Sequence, residues 1–265
     1  METVNVPQVN QKRELNLHVA GGRNVAVEFA DIGNVAMPES TRSFVPVSHN
    51  RMVEIFREQL AEKNLSVIKE HHTLAKYGQN YFGLFQIDMK KDGATSGTVV
   101  GLRNSHCKDF RAGICAGNAP FVCDNLVFHN EIVIGRRHTT NIMLDLPKKM
   151  GEALGKLGEM WTNHETRVKK YTNTNLDDET AGNLILRSYR SGAIGKNMIA
   201  DVLDQWDKPL HEEFAPRNLW SLHNAFTEIY KGNLNALPIR SSILHSVLDP
   251  FAGINVVLPA EIGAN

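Results

Sequence analysis

The chain has 265 residues, enough for one large domain or two small ones with a sizeable core. Lysine plus arginine number 29 and aspartate plus glutamate number 29, so no global field steers the protein onto nucleic acid and a polybasic binder is excluded. No run of about 18 apolar residues exists and Met1 to Leu15 has no apolar stretch, so neither a membrane span nor a signal peptide is expected, and the chain reads as cytoplasmic.

Residues 1–23 are polar and end in Gly21-Gly22, which reads as an arm. Val25, Val27 and Phe29 alternate with polar or small residues, and period two predicts a short strand. Ser48 is a candidate helix cap, and Met52, Ile55, Phe56 and Leu60 predict a helix over 49–63. Tyr81, Gly83, Phe85, Ile87 and Met89 fall on one face of a strand, and Lys91-Asp92-Gly93 is a turn signal. Val99 to Leu102, Ala112 to Ala116, Phe121 to Leu126 and Glu131 to Gly135 continue the β pattern as an antiparallel meander.

The apolar period changes at Asp145, a candidate cap followed by Pro147, and a helix to about residue 170 is expected. Gly151, Gly155 and Gly158 interrupt it, which suits close helix–helix contact. Further helices are expected over about 177–190, 194–206, 216–231 and 238–248. The fold class is therefore α+β: an antiparallel β-meander with a flanking helix in the first half, and a helical second half. The division is a polar arm at 1–23, a β-rich part at 24–145 and a helical part at 146–265.

No catalytic motif is present. Gly192-Ala193-Ile194-Gly195-Lys196-Asn197 has two residues between its glycines where a phosphate loop needs four, and suits helix capping better. Cys107, Cys115 and Cys123 stand eight apart without a ligand knuckle, so free thiols in a reduced core are expected, with no zinc and no cofactor. The adjacent pairs His106-Cys107 and His71-His72 point to opposite faces if they lie on strands, which disfavours a Cys–His nucleophile or a metal clip.

The distinctive polar groups fall between residues 101 and 140, where Arg103, Lys108, Arg111, Arg136 and Arg137 face only Asp109, Asp124 and Glu131. With Asn104, Ser105, His106 and His138 they form a candidate nucleic-acid-binding set, because guanidinium forks, amides and hydroxyls are what phosphate contacts use. Turn chemistry for Asn104 and Ser105, and a solvated strand end for Arg136 to His138, are the plainer alternatives. In the second half, Leu219, Leu222, Phe226 and Ile229 make an apolar stripe, while Trp220, Asn224 and Thr227 are candidates for meeting a partner. A satisfied core asparagine is the alternative there.

Gly101 to His106, Phe121-Val122-Cys123-Asp124-Asn125, Arg137-His138-Thr139 and Leu219 to Thr227 resemble, in order, four runs of a largely uncharacterised family of phage- and plasmid-encoded proteins. The match covers roughly residues 45–230. Cys107 stands where that family usually carries an aspartate. The resemblance implies mobile-element biology: replication, recombination or interference with host defence. The element order also resembles that of ring-forming strand-annealing proteins, an analogy of fold alone. The expected partner is therefore single-stranded DNA or, alternatively, a host protein, with an enzyme as the third reading and a homo-oligomer left open.

Overall fold

A computed structural model describes residues 25–89, 96–120, 127–231 and 236–255. Six strands run β1 (Val25–Val27), β2 (Ser66–Ala75), β3 (Asn80–Asp88), β4 (Ser96–Ser105), β5 (Ala112–Pro120) and β6 (Val127–Arg136). They form one sheet in sequence order, and every neighbouring pair is antiparallel. The register shifts between Val67 and Lys69 and between Cys115 and Ala116. The arm at 1–23, the Lys91-Asp92-Gly93 turn, and Phe121 to Leu126 with Cys123 lie outside the described residues.

Both faces of this sheet are covered. Tyr81, Phe85, Val100, Leu102 and Ile114 pack under Met52, Ile55 and Phe56 of α2 (His49–Glu62) and under Ile142, Leu146 and Met150 of α3 (Ile142–Gly155). A short helix, α1 (Phe29–Ile32), adds Ile32 to that core. Phe82, Leu84, Val99 and Cys115 face the other way, into a second core. That core is built by α5 (Asp178–Arg190), α6 (Ile199–Asp207), α7 (Leu219–Ile229) and α8 (Leu237–Leu248). Between them α4 (Leu157–Thr172) gives Leu157 and Met160 to the first core and Tyr171 to the second. The helical half therefore closes over the back of the meander. β3 is buried from Tyr81 through Ile87, the continuous apolar pattern of a strand covered on both sides.

Three expectations change in detail. The helix expected to begin at Asp145 begins at Ile142, and Pro147 lies inside it rather than in its first turn. Pro147 lacks an N–H, so the Met143 carbonyl loses its helical partner; Met143 is 41% exposed, where water can replace it. The helix also stops at Gly155, and α4 starts anew after Lys156, so 142–172 is two helices, not one. Ser48 occupies the cap position of α2 without a side-chain cap bond; its carbonyl accepts from the Met52 N–H instead. Of the three helical glycines, Gly151 does face α2, where an added Cβ would collide with Gln59 Oε1, but Gly158 faces open space.

Candidate nucleic-acid interface

The antiparallel order brings five chain segments to one end of the sheet. β2 finishes at Ala75 opposite Asn80 of β3; Asn80 pairs with Ser105 at the end of β4, and Ala112 of β5 pairs with Arg136 at the end of β6. The turns and strand ends there carry Lys76, Lys108, Arg111, Arg136 and Arg137. At the outer edge of the sheet α3 crosses β6, and a cleft of about 490 Å³ opens between them. Its walls present Arg111, Arg136, Arg137, Lys148 and Lys149, against the carboxylates of Asp145 and Glu152.

Local sequence explains this geometry. Gly113 and Gly135 are cross-strand partners. A Cβ at Gly135 would come 3.4 Å from the Arg111 Cβ, so the missing side chain lets the arginine stem lie against the strand. Arg136 points the opposite way to Gly135 and meets Asp145 of α3, with Nε and Nη2 both 2.7 Å from Oδ2. Asp145 is thus an arginine partner rather than a helix cap. Lys148 and Lys149 lie outside the buried Leu146–Met150 stripe and have no ion-pair partner among the described residues. One of the two cleft carboxylates is therefore committed to Arg136, and a local excess of positive charge remains on a chain whose formal net charge is zero.

The remaining candidates divide. Arg103 is half-buried on β4, in one cross-strand row with Phe82, Gly113 and Gly135, and its guanidinium lies 5.5 Å from the Phe110 ring centre. Lys108 is exposed, with φ of 64°, and its ammonium sits 4.8 Å over the Phe44 ring. Neither lines the cleft, though both sit near the same end of the sheet. Asn104, Ser105, His106 and His138 are buried, contrary to their expected place on a contact face. Ser105 performs turn chemistry, its Oγ accepting from the Asp109 N–H at 3.0 Å.

Asn104, His106 and His138 join His49 of α2 in an interior polar cluster. Asn104 Nδ2 donates to Val47 O at 2.7 Å and to His49 Nδ1 at 3.0 Å, and Asn104 Oδ1 accepts from His138 Nε2 at 2.8 Å. Val47 O only accepts, which fixes the amide orientation; that in turn fixes neutral His49, donating from Nε2 to Gly78 O at 2.9 Å. His106 Nε2 donates to Val47 O at 3.0 Å, and its ring stacks on His49 with centroids 4.0 Å apart. Burial lowers His49 to about 4, helped by the neighbouring His106. Burial likewise lowers His138 to about 4, again with His106 contributing. His106 is lowered by burial too, while backbone bonds to Val47 and Ala36 oppose the shift. His138 follows Arg137 directly, and its carbonyl accepts from the Val45 N–H at 2.9 Å, so the cluster anchors the strand end that carries two cleft arginines.

In the helical half, α7 is buried nearly all round. Asn224 and Thr227, expected to meet a partner, are 2% and 1% exposed. Asn224 Nδ2 donates to Trp220 O at 2.8 Å, and Thr227 Oγ1 to Asn224 O at 3.1 Å, so both residues belong to the core rather than to a contact face. Trp220 is half-buried and stacks on His223 at 5.1 Å. Gly192, with φ of 86°, ends α5, and the Ala193 N–H bonds back to Ser188 O, so that glycine run is a helix stop. Cys107 and Cys115 are free thiols, and burial pushes Cys115 up to about 12. Cys107 lies 3.4 Å from Asn80 Oδ1; the carboxylate of that turn is Asp109, which binds Lys76 at 2.9 Å. Among the described residues no group of three His, Cys, Asp or Glu side chains is arranged to hold a metal ion, and no helix is long and apolar enough to cross a membrane.

Lys148 and Lys149 are the cleft residues that sequence reasoning passed over. Their signal was present: a helical period that turns Leu146 and Met150 inward turns the intervening lysines outward. No protein-family model, no curated protein and no solved structure matches the chain.

Proposed function

We propose that the protein binds nucleic acid through its sugar-phosphate backbone, as a phage- or plasmid-type factor acting on single strands in replication or recombination. The observation that carries this reading is the cleft at the β6 edge: five cations and two carboxylates around one concavity on a charge-balanced chain. Arginine forks and lysine ammoniums placed together release counterions when they meet phosphates. The four sequence runs that resemble the mobile-element family support the biological setting, which would be the cytoplasm of a bacterial host. Two of those runs supply Arg137, His138, Asn104 and His106, the arginine at the cleft and the anchor beneath it.

A second reading is a host-protein contact, as in a counter-defence factor. It is favoured by Met143 and Leu144, 41% and 77% exposed on the helix that walls the cleft. Titration of a labelled single-stranded oligonucleotide at rising salt separates the two. Backbone binding weakens steeply with salt, whereas a protein-docking surface leaves the oligonucleotide unbound even at low salt.

A further inference from the structure

We infer that the basic end of the sheet is a track for single-stranded nucleic acid and that Tyr77, at the tip of the β2–β3 hairpin, is a base-stacking residue on it. This rests on the backbone-binding reading of the cleft and extends it from phosphates to bases.

Tyr77 is the most exposed large hydrophobic side chain described, at 103% of its reference area. It stands in a run of three left-handed residues, with φ of 53° at Lys76, 56° at Tyr77 and 85° at Gly78. Left-handed backbone is disfavoured for a bulky side chain, and glycine, asparagine or aspartate would adopt it at less cost. The fold gains nothing from the ring in return, since it packs against nothing. An aromatic held in solvent on a strained turn is a surface awaiting a partner.

The position identifies that partner. The hairpin tip lies at the same end of the sheet as the cleft, because β2, β4 and β6 finish there and β3 and β5 begin there. Strands sit about 4.8 Å apart, so this rim runs on the order of 20 Å from β2 to β6. Lys76 stands beside Tyr77, then Lys108 and Arg111 follow on the β4–β5 turn, and Arg136 and Arg137 lie at the cleft. Lys76 is held by an exposed pair with Asp109, which a phosphate can replace. A cationic path carrying an isolated aromatic face matches how single strands are held without sequence choice: the cations follow the backbone and the ring stacks a base. Duplex bases are already stacked on each other and offer no face to Tyr77.

The test compares a labelled oligothymidylate with an abasic oligomer of equal length, on the full chain and on Tyr77→Ala and Tyr77→Trp. Tyr77→Ala should weaken oligothymidylate binding about tenfold, the scale of one lost base stack, without changing the salt slope. Tyr77→Trp should retain it, and the abasic oligomer should bind parent and Tyr77→Ala alike. Equal oligothymidylate binding by parent and Tyr77→Ala overturns the stacking role while leaving the cleft reading intact. Equal loss on both oligomers also overturns it, since a base would then not be the contact. Failure of the parent to bind either oligomer at low salt overturns the cleft reading and this inference together, and assigns the surface to a protein partner.

Discussion

His138 donates from Nε2 to Asn104 Oδ1 at 2.8 Å, joining the segment that follows β6 to the end of β4 across the one intervening strand, β5. One amide thereby serves three buried partners, because Asn104 Nδ2 also reaches Val47 O and His49 Nδ1. The consequence for stability is direct. Asn104→Leu keeps the branching and heavy-atom count of the side chain and leaves the Val47 carbonyl, one His49 nitrogen and one His138 nitrogen without that amide. Orphaned buried groups cost about 1–3 kcal/mol each, reduced where another partner remains, as His106 does for Val47. A loss of about 3 kcal/mol in urea unfolding is expected. A loss below about 1 kcal/mol would show that the amide is not the hub of the cluster.

Acid should destabilise the protein before its carboxylates protonate. His49 and His138 are held at about 4, and His164 and His223 at about 3, all chiefly by burial, against an ordinary value of 6.5. Below pH 6.5 the unfolded chain takes up protons that the folded chain refuses until about pH 4 or 3. The unfolded state then binds more protons, so stability is intact above the unfolded value and falls as pH drops through this window. Each histidine contributes a slope of up to about 1.4 kcal/mol per pH unit. Urea midpoints should hold near pH 7.5 and fall steadily from about pH 6.5 to about pH 5, and a flat profile over that lower range would contradict neutral burial of these rings.

The helical glycines separate packing from propensity. Gly182 in α5 has nothing within 4 Å of an added Cβ, so Gly182→Ala should stabilise by about 1 kcal/mol through helix propensity alone. Gly151→Ala should gain less, because Gln59 must swing its amide away from α3. Thermal unfolding of the two variants checks the order. A lower melting temperature for Gly182→Ala than for the parent would contradict the open environment assigned to it.

Much of the fold was legible in the sequence, and the failures are instructive. The meander was readable because turn residues break apolar runs at short intervals. β2 was hard to delimit, because Lys69, Glu70, His71 and His72 interrupt its apolar character while it still pairs with β3 over its length. The second buried face of β3 was missed because Phe82 and Leu84 alternate with residues already assigned to a core. For the site, Arg111, Arg136 and Arg137 were visible as a charge excess, and the structure gathers them at one cleft. The inward turn of Asn104, His106 and His138 was not visible. Their partners Val47 and His49 lie more than fifty residues away, and neutral histidine carries no sign in a sequence that distinguishes a core network from a solvated turn.

The salt dependence of oligonucleotide binding tests the cleft most directly. The probe is a labelled single-stranded oligonucleotide, titrated from about 50 to 200 mM salt with the parent and with Arg137→Gln/Lys148→Gln/Lys149→Gln. These three side chains leave the Arg136–Asp145 pair and the buried histidine cluster untouched. The parent should bind with a log–log slope of about −0.7 per phosphate neutralised, and the triple variant should bind more weakly with a slope shallower by about 2. Equal slopes and equal affinities for parent and variant, or no binding by the parent at low salt, would contradict the assignment of the cleft to a nucleic-acid backbone.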